Sequence, residues 1–236
     1  MTPRQICAVL LGAVAAAAWW AGARDAFAGE GALLPYAVHE LERVLTQGEC
    51  AALIQAAEPR LARSRVVGRG GEPARERVSD ARTSTQAWLG EGDPGAGAAV
   101  GKLLRTAAAL TGVRRRDLLG SVMVARYTPG QEYRPHRDAC TRGCDRGAIY
   151  RRATLLVYLN DNYRGGTTSF PGIGRTVRPR AGGGVLFYDT APETGEVIGE
   201  SLHSGDPVKD GVKYIATVWV SFPPELHGFD PAAAKR

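Results

Sequence analysis

Two histidines and one carboxylate stand out among the side chains that could do chemistry. His136-Arg137-Asp138 forms an H-x-D triplet, and His203 lies in a second segment, Glu200 to Gly205, much further along the chain. On extended backbone, positions i and i+2 face the same side, so this imidazole and carboxylate can converge on one metal ion. Two His and one carboxylate make the facial triad of non-haem Fe(II) oxygenases, with positions left open for co-substrate and dioxygen. Zinc hydrolase sites use the same ligand types, so the triad alone leaves the metal open. Lys213 supplies the further signal. It opens the mostly apolar run Lys213-Tyr214-Ile215-Ala216-Thr217-Val218-Trp219, and a lysine directed into a barrel is costly unless it meets an anion. A dicarboxylate such as 2-oxoglutarate, chelating the metal at one end, supplies that anion at the other. Taken alone, Lys213 reads better as an edge lysine reaching solvent; beside the triad, the anion reading wins. His39 and His227 have no partner motif and read as surface residues.

The elements that must position these residues follow from periodicity. A helix is predicted over 47–58, with Cys50, Leu53, Ile54 and Ala57 on one stripe. Thr46 and Glu49 form its capping box, and Pro59 marks its end. A second helix, over 98–110, buries Val100, Leu103, Leu104 and Ala107 and stops at Gly112. The Gly- and Arg-rich stretch from Val67 to Asp80 reads as a loop. From Ser121 the period changes to two, with strands predicted at 121–127, 153–159, 184–188 and 213–222, separated by Gly- and Pro-bearing turns. Helices followed by short strands suggest an α+β chain whose β half is a sandwich or barrel, in one domain.

With these residues in place, the sequence resembles the prolyl 4-hydroxylase-like 2-oxoglutarate/Fe(II) dioxygenases over about residues 40–222. The similarity includes Glu49-Cys50, Arg82-Thr83-Ser84, and the stretch from Tyr127 through Gly130, Gln131 and Tyr133 to His136 and Asp138. It continues through Arg152, Ala153-Thr154-Leu155-Leu156, Tyr158-Leu159-Asn160-Asp161 and Gly165-Gly166-Thr167. It closes with Leu202-His203-Ser204-Gly205, Pro207-Val208, Gly211, Lys213 and Trp219. The resemblance implies a double-stranded β-helix (jelly-roll) core with supporting N-terminal helices, occupying a catalytic domain at 29–236. It implies that His136, Asp138 and His203 bind Fe(II), that Lys213 pairs with the distal carboxylate of 2-oxoglutarate, and that Tyr127 and Thr154 hydrogen-bond the co-substrate. Trp219 would line the pocket near the metal, or be an ordinary core aromatic. Tyr133 and Arg152 would face the peptide; the alternatives are a lining aromatic and a structural ion pair. Arg82 and Ser84 would belong to a mobile segment over the peptide groove, against a plain polar turn. The implied reaction is hydroxylation of peptidyl proline with release of succinate and carbon dioxide, with L-ascorbate rescuing oxidised iron. Lysine rather than arginine at the 2-oxoglutarate position looks more like prolyl than lysyl hydroxylases. The sequence departs from the family at Gly120, where an acidic residue is usual, and at Met123, where glutamine is common. The competing readings are a 2-oxoglutarate oxygenase acting on another peptidyl or small-molecule substrate, and a non-catalytic jelly-roll binding module. A binding module has no need for the triad and Lys213 together.

Composition narrows the remaining classes. In 236 residues there are 44% hydrophobic and 23% charged residues, which argues against disorder, and 30 Gly and 14 Pro favour turns over a helical bundle. Residues 1–28 read as a signal peptide or signal anchor: Arg4, an uncharged Ala-rich run, then Ala26-Phe27-Ala28 as a cleavage pattern. Export to the secretory pathway, the endoplasmic reticulum included, or to the periplasm or beyond, is expected, with membrane contact only if that segment stays uncleaved. Without it the chain carries +5. Its basic clusters, Arg114-Arg115-Arg116 and Arg60, Arg63, Arg65 and Arg69, lack interleaved aromatics, so nucleic acid is not the expected partner. A proline-containing peptide or protein is. Cys50 reads as a buried small hydrophobe. Cys140 and Cys144 could form a local disulfide, while a structural zinc site there would need two more ligands.

Overall fold

The computed structural model describes residues 38–67, 76–139, 150–191 and 195–222. The leader at 1–28, the Cys140/Cys144 pair, Arg69 and His227 lie outside these residues. Helix α1 (Gln47–Ala57) begins where its capping box puts it: the Thr46 hydroxyl accepts from the Glu49 N–H at 3.2 Å, and the Glu49 carboxylate accepts from the Thr46 N–H at 2.7 Å. Pro59 falls in a short 3-10 turn, Glu58–Arg60, that extends the helix end. Helix α2 (Gly97–Thr111) stops at Gly112, whose φ of 72° is the left-handed conformation that glycine adopts without strain. Thr46→Ala is expected to cost about 1 kcal/mol of stability, read as a lower urea midpoint at unchanged slope.

Fifteen strands follow in chain order. They are β1 (Val38–Leu41), β2 (Ala62–Arg63), β3 (Arg65–Val67), β4 (Glu76–Val78), β5 (Thr85–Gly90), β6 (Ser121–Tyr127), β7 (Tyr133–His136) and β8 (Tyr150–Tyr158). Then come β9 (Arg164–Gly165), β10 (Thr168–Phe170), β11 (Arg175–Val177), β12 (Gly184–Tyr188), β13 (His203–Gly205), β14 (Val208–Asp210) and β15 (Lys213–Phe222). A seven-stranded sheet runs β1-β12-β8-β15-β6-β5-β2 and a four-stranded sheet runs β11-β10-β13-β7. The two faces close on one core in which Met123, Leu156, Phe187 and Ile215 of the large sheet meet Phe170 and Val177 of the small one. This is the double-stranded β-helix. On the outer face of the large sheet, α1 and α2 lay Leu53, Val100, Leu103 and Leu104 against Leu89, Val122, Leu155 and Val218. Cys50 is buried there, and that burial, followed by the charge of Glu49, pushes its thiol up to about 11.

Two expectations are corrected. The segment from Val67 to Asp80 is not simply a loop, because β3 and β4 pair from Arg65↔Val78 to Val67↔Glu76; alternating Arg and Val carry a ladder that glycine content conceals. The strand expected at 153–159 starts earlier, at Tyr150. No helix among the described residues is long and apolar enough to cross a membrane.

Candidate metal and co-substrate site

Strand pairing builds the site. In the β13/β7 ladder His203 stands directly opposite His136, which brings the ring centroids to 4.2 Å. Asp138 follows β7 by two residues and turns its carboxylate toward both rings, with Oδ1 at 3.6 Å from His136 Nε2 and Oδ2 at 4.0 Å from His203 Nε2. Each Nδ1 is held by a backbone carbonyl: His136 by Arg134 O at 2.8 Å and His203 by Ser201 O at 2.9 Å. A proton on each Nδ1 makes these bonds and leaves the Nε2 lone pairs aimed inward, as metal-ligating histidines require. One donor atom from each of the three lies within 4.8 Å of the others. This donor set fits one divalent cation. Burial, then the neighbouring His203, holds His136 well below the ordinary imidazole range, so it is neutral and able to coordinate at pH 7. Burial would raise Asp138, but His203 and His136 outweigh it and hold the carboxyl well below its usual range.

Asp138 Oδ2 accepts two further bonds, from Trp219 Nε1 and Thr154 Oγ1, both at 2.9 Å. Trp219 thus lies beside the metal position, as expected. Thr154 corrects an expectation: fully buried behind Asp138, its hydroxyl orients the carboxylate and does not reach the co-substrate cleft. The same hydroxyl lies 2.8 Å from Oδ2 of Asp189. A hydroxyl has one proton, so it donates to the ionised Asp138 and accepts from Asp189, an acid that burial, followed by the charge of Asp138, keeps well above the usual carboxyl range. Asp189 was missed in the sequence; its signal was an acid ending the fully apolar strand β12. Losing a partner that orients a metal ligand typically costs 10–100-fold in affinity, so Thr154→Val is expected to weaken Fe(II) binding by about that factor, measured by titration of the metal-free protein.

Lys213 lies at the other end of an open cleft of about 430 Å³ whose lining includes the triad, Tyr127 and Thr168. It pairs with Tyr127 across β15 and β6 and is only 2% exposed. Its Nζ sits 5.5 and 5.1 Å from the ring centroids of Tyr127 and Tyr158. Among the described residues no carboxylate forms an ion pair with it. Burial brings the ammonium down to about 7, against the pull of the nearby Asp206. Asp206 is itself committed to hydroxyls, those of Ser169 at 2.6 Å, Ser204 at 2.9 Å and Thr167. A metal position at one end and a cation without a counter-ion at the other suit a dicarboxylate. Thr168, whose hydroxyl meets that of Tyr158, was not singled out in the sequence because a threonine in a short strand has no distinctive pattern.

The mouth of the cleft carries Tyr133, stacked on His136 with centroids 3.4 Å apart, and Arg82. Arg82 is buried, with its guanidinium 3.2 Å from Met123 Sδ and 5.0 Å from the Tyr133 ring. Met123, in the position where the family often has glutamine, thus still supplies an acceptor. Two expected substrate contacts are corrected. Ser84 is fully buried, its hydroxyl bonded to Ser64 at 2.8 Å. Arg152 is 1% exposed, with its guanidinium on Thr190 Oγ1 and Ala191 O. The cause is a β-bulge: Val220 pairs with Ala153 but Ser221 with Arg151, so the extra residue Arg152 leaves the site face and Arg151 takes its place. The Arg151 guanidinium lies 4.0 Å over the Trp219 ring.

A jelly roll that presents two imidazoles and a carboxylate above a buried lysine has the form of a mononuclear non-haem iron oxygenase. The 2OG-Fe(II) oxygenase superfamily pattern matches residues 122–221. Prolyl 4-hydroxylase 13 of Arabidopsis thaliana is 30% identical over 200 residues, covering 78% of this chain and 70% of that one. The prolyl 4-hydroxylase subunit alpha-2 of Gallus gallus is 32% identical over 179 residues, covering 75% of this chain but 32% of the subunit. Among solved structures, the viral collagen prolyl hydroxylase vCPH of Paramecium Bursaria Chlorella virus-1, as its 2OG complex, aligns with a TM-score of 0.58 at 29% identity. That alignment covers 78% of this chain and 95% of that one. The chain belongs to the prolyl 4-hydroxylase-like 2-oxoglutarate/Fe(II) oxygenases. Membership implies Fe(II) and 2-oxoglutarate. The chain spans less than two thirds of several curated relatives, 45% of a mimivirus relative among them.

Proposed function

We propose that this chain hydroxylates proline residues in peptides at the 4-position, with 2-oxoglutarate consumed and succinate and carbon dioxide released. The observation that carries this is Lys213, a buried ammonium without a carboxylate partner, facing the same cleft as His136, Asp138 and His203. In this reading His136 and His203 offer Nε2, and Asp138 an oxygen, to Fe(II). The iron and 2-oxoglutarate together supply the oxygen-activating chemistry that no side chain here can perform. Lys213 binds the distal carboxylate, with Tyr127 beside it. Thr154 and Trp219 fix the Asp138 oxygens by hydrogen bonds, so the ligand geometry is set before substrate arrives. Tyr133, Trp219 and Arg82 form the peptide side. The cleft lining has cations at Arg82 and Lys213 and no carboxylate except Asp138, which favours an uncharged ring over a cationic lysine side chain.

L-ascorbate enters this reading as the reductant that keeps iron ferrous, supported by the family resemblance alone. Export rests likewise on the A-x-A pattern at Ala26 to Ala28. The test is succinate release by the purified chain with Fe(II), 2-oxoglutarate and ascorbate, with and without proline-rich peptides. Stimulation by peptide, lost in His136→Ala, is expected. Turnover indifferent to every proline peptide would assign another substrate, and a folded, iron-loaded protein with no turnover would favour a binding module.

A further inference from the structure

Trp88 is 41% exposed on β5, an unusual place for a large apolar side chain on a face that elsewhere forms the core. Its cross-strand partner is Met123, which lines the cleft, so the indole shares the site's side of the sheet. The Trp88 ring stands 5.7 Å from that of Trp219, with the planes at 46°. Trp219 in turn donates to Asp138 and carries the Arg151 guanidinium against its ring. A continuous aromatic path therefore leads from the metal-binding carboxylate to an open indole at the surface.

We infer that Trp88 is a specificity-determining subsite that receives a second proline of the peptide. The inference rests on the proline-hydroxylase reading and extends it to substrate sequence. Proline-rich segments adopt the polyproline II conformation and are recognised through ring contacts with aromatic faces, because they offer few N–H groups for a strand ladder. At a rise of about 3.1 Å per residue, the 5.7 Å step from Trp219 to Trp88 corresponds to about two residues. The peptide thus carries prolines two positions apart, one beside Trp219 at the reacting centre and the other on Trp88. Arg151 and Arg82 flank this path and disfavour a basic residue in the second position.

The experiment is a double-mutant cycle on the full chain, using hydroxylation of peptides with a target proline and either proline or alanine two positions away on each side. Trp88→Ala is expected to raise the KM of the two-proline peptide about tenfold, the size of one lost ring contact with its buried area. Replacing the second proline by alanine should raise the wild-type KM by a similar factor, and the two changes should not add. Trp88→Phe, which keeps a ring, should stay within about threefold of wild type. Additive effects, an unchanged KM in Trp88→Ala, or a Trp88→Phe variant as poor as Trp88→Ala would overturn the subsite. A wild-type protein that hydroxylates proline peptides yet ignores the second position overturns the subsite alone. One that hydroxylates no proline peptide overturns the underlying reading with it.

Discussion

Lys213→Met is expected to raise the KM for 2-oxoglutarate at least a hundredfold, roughly the cost of breaking a buried charge pair at 3–5 kcal/mol. The same substitution should raise the melting temperature of the protein without 2-oxoglutarate, because it removes a buried ammonium that has no counter-ion among the described residues. Loss of co-substrate binding together with a gain in stability separates a binding lysine from a structural one, which would lose both. The pH dependence follows from the direction of the shift. Burial first, against the pull of Asp206, brings Lys213 from 10.5 to about 7, so the unfolded chain binds more protons than the folded one between these values. Stability in the absence of 2-oxoglutarate should therefore rise with pH from about 7 toward 10 in the wild type, and this component should vanish in Lys213→Met. Affinity for 2-oxoglutarate should run the other way. It should be level below pH 7 and weaken above it, because the carboxylate must find a protonated amine. Isothermal titration in buffers of different ionisation enthalpy would show proton uptake on binding above that pH.

Asp138→Asn is expected to weaken Fe(II) binding by more than about a hundredfold, beyond the loss typical of a supporting partner, and to abolish turnover. The amide keeps the shape of the carboxylate but not its charge, and its nitrogen would face either the imidazoles or the donors of Trp219 and Thr154. At pH 7 the wild-type donor set is two neutral imidazoles and one ionised carboxylate, ready to coordinate without losing a proton. Metal titration followed by Co(II) absorption in place of iron would report the change in the ligand field directly. A variant that bound metal as tightly as wild type would remove Asp138 from the ligand set.

The two His and the Asp were legible in the sequence because metal binding needs particular donor atoms, and few side chains supply them. Lys213 was legible because a charge at the head of an apolar strand needs an explanation. The capping box at Thr46 and Glu49 and the period-two runs at β6, β12 and β15 fixed their elements locally. What failed to show depended on geometry. The direction of the Thr154 hydroxyl, toward Asp138 and away from the cleft, is decided by where β8 lies beneath β7. The exchange of Arg152 for Arg151 comes from a bulge, and one extra residue reverses every parity argument beyond it. The ladder of β3 and β4 and the three- and four-residue strands that hold the triad are too short for periodicity to register. Asp189 read as an ordinary strand end until the fold placed it against Thr154.

The most direct test of the central claim is mass spectrometry of a proline-containing peptide incubated with the protein, Fe(II), 2-oxoglutarate and oxygen-18 dioxygen. The account predicts one labelled oxygen on a proline ring, with one succinate released per event and both lost in Asp138→Asn. Label on another residue, or succinate formed while every proline stays unmodified, would contradict it.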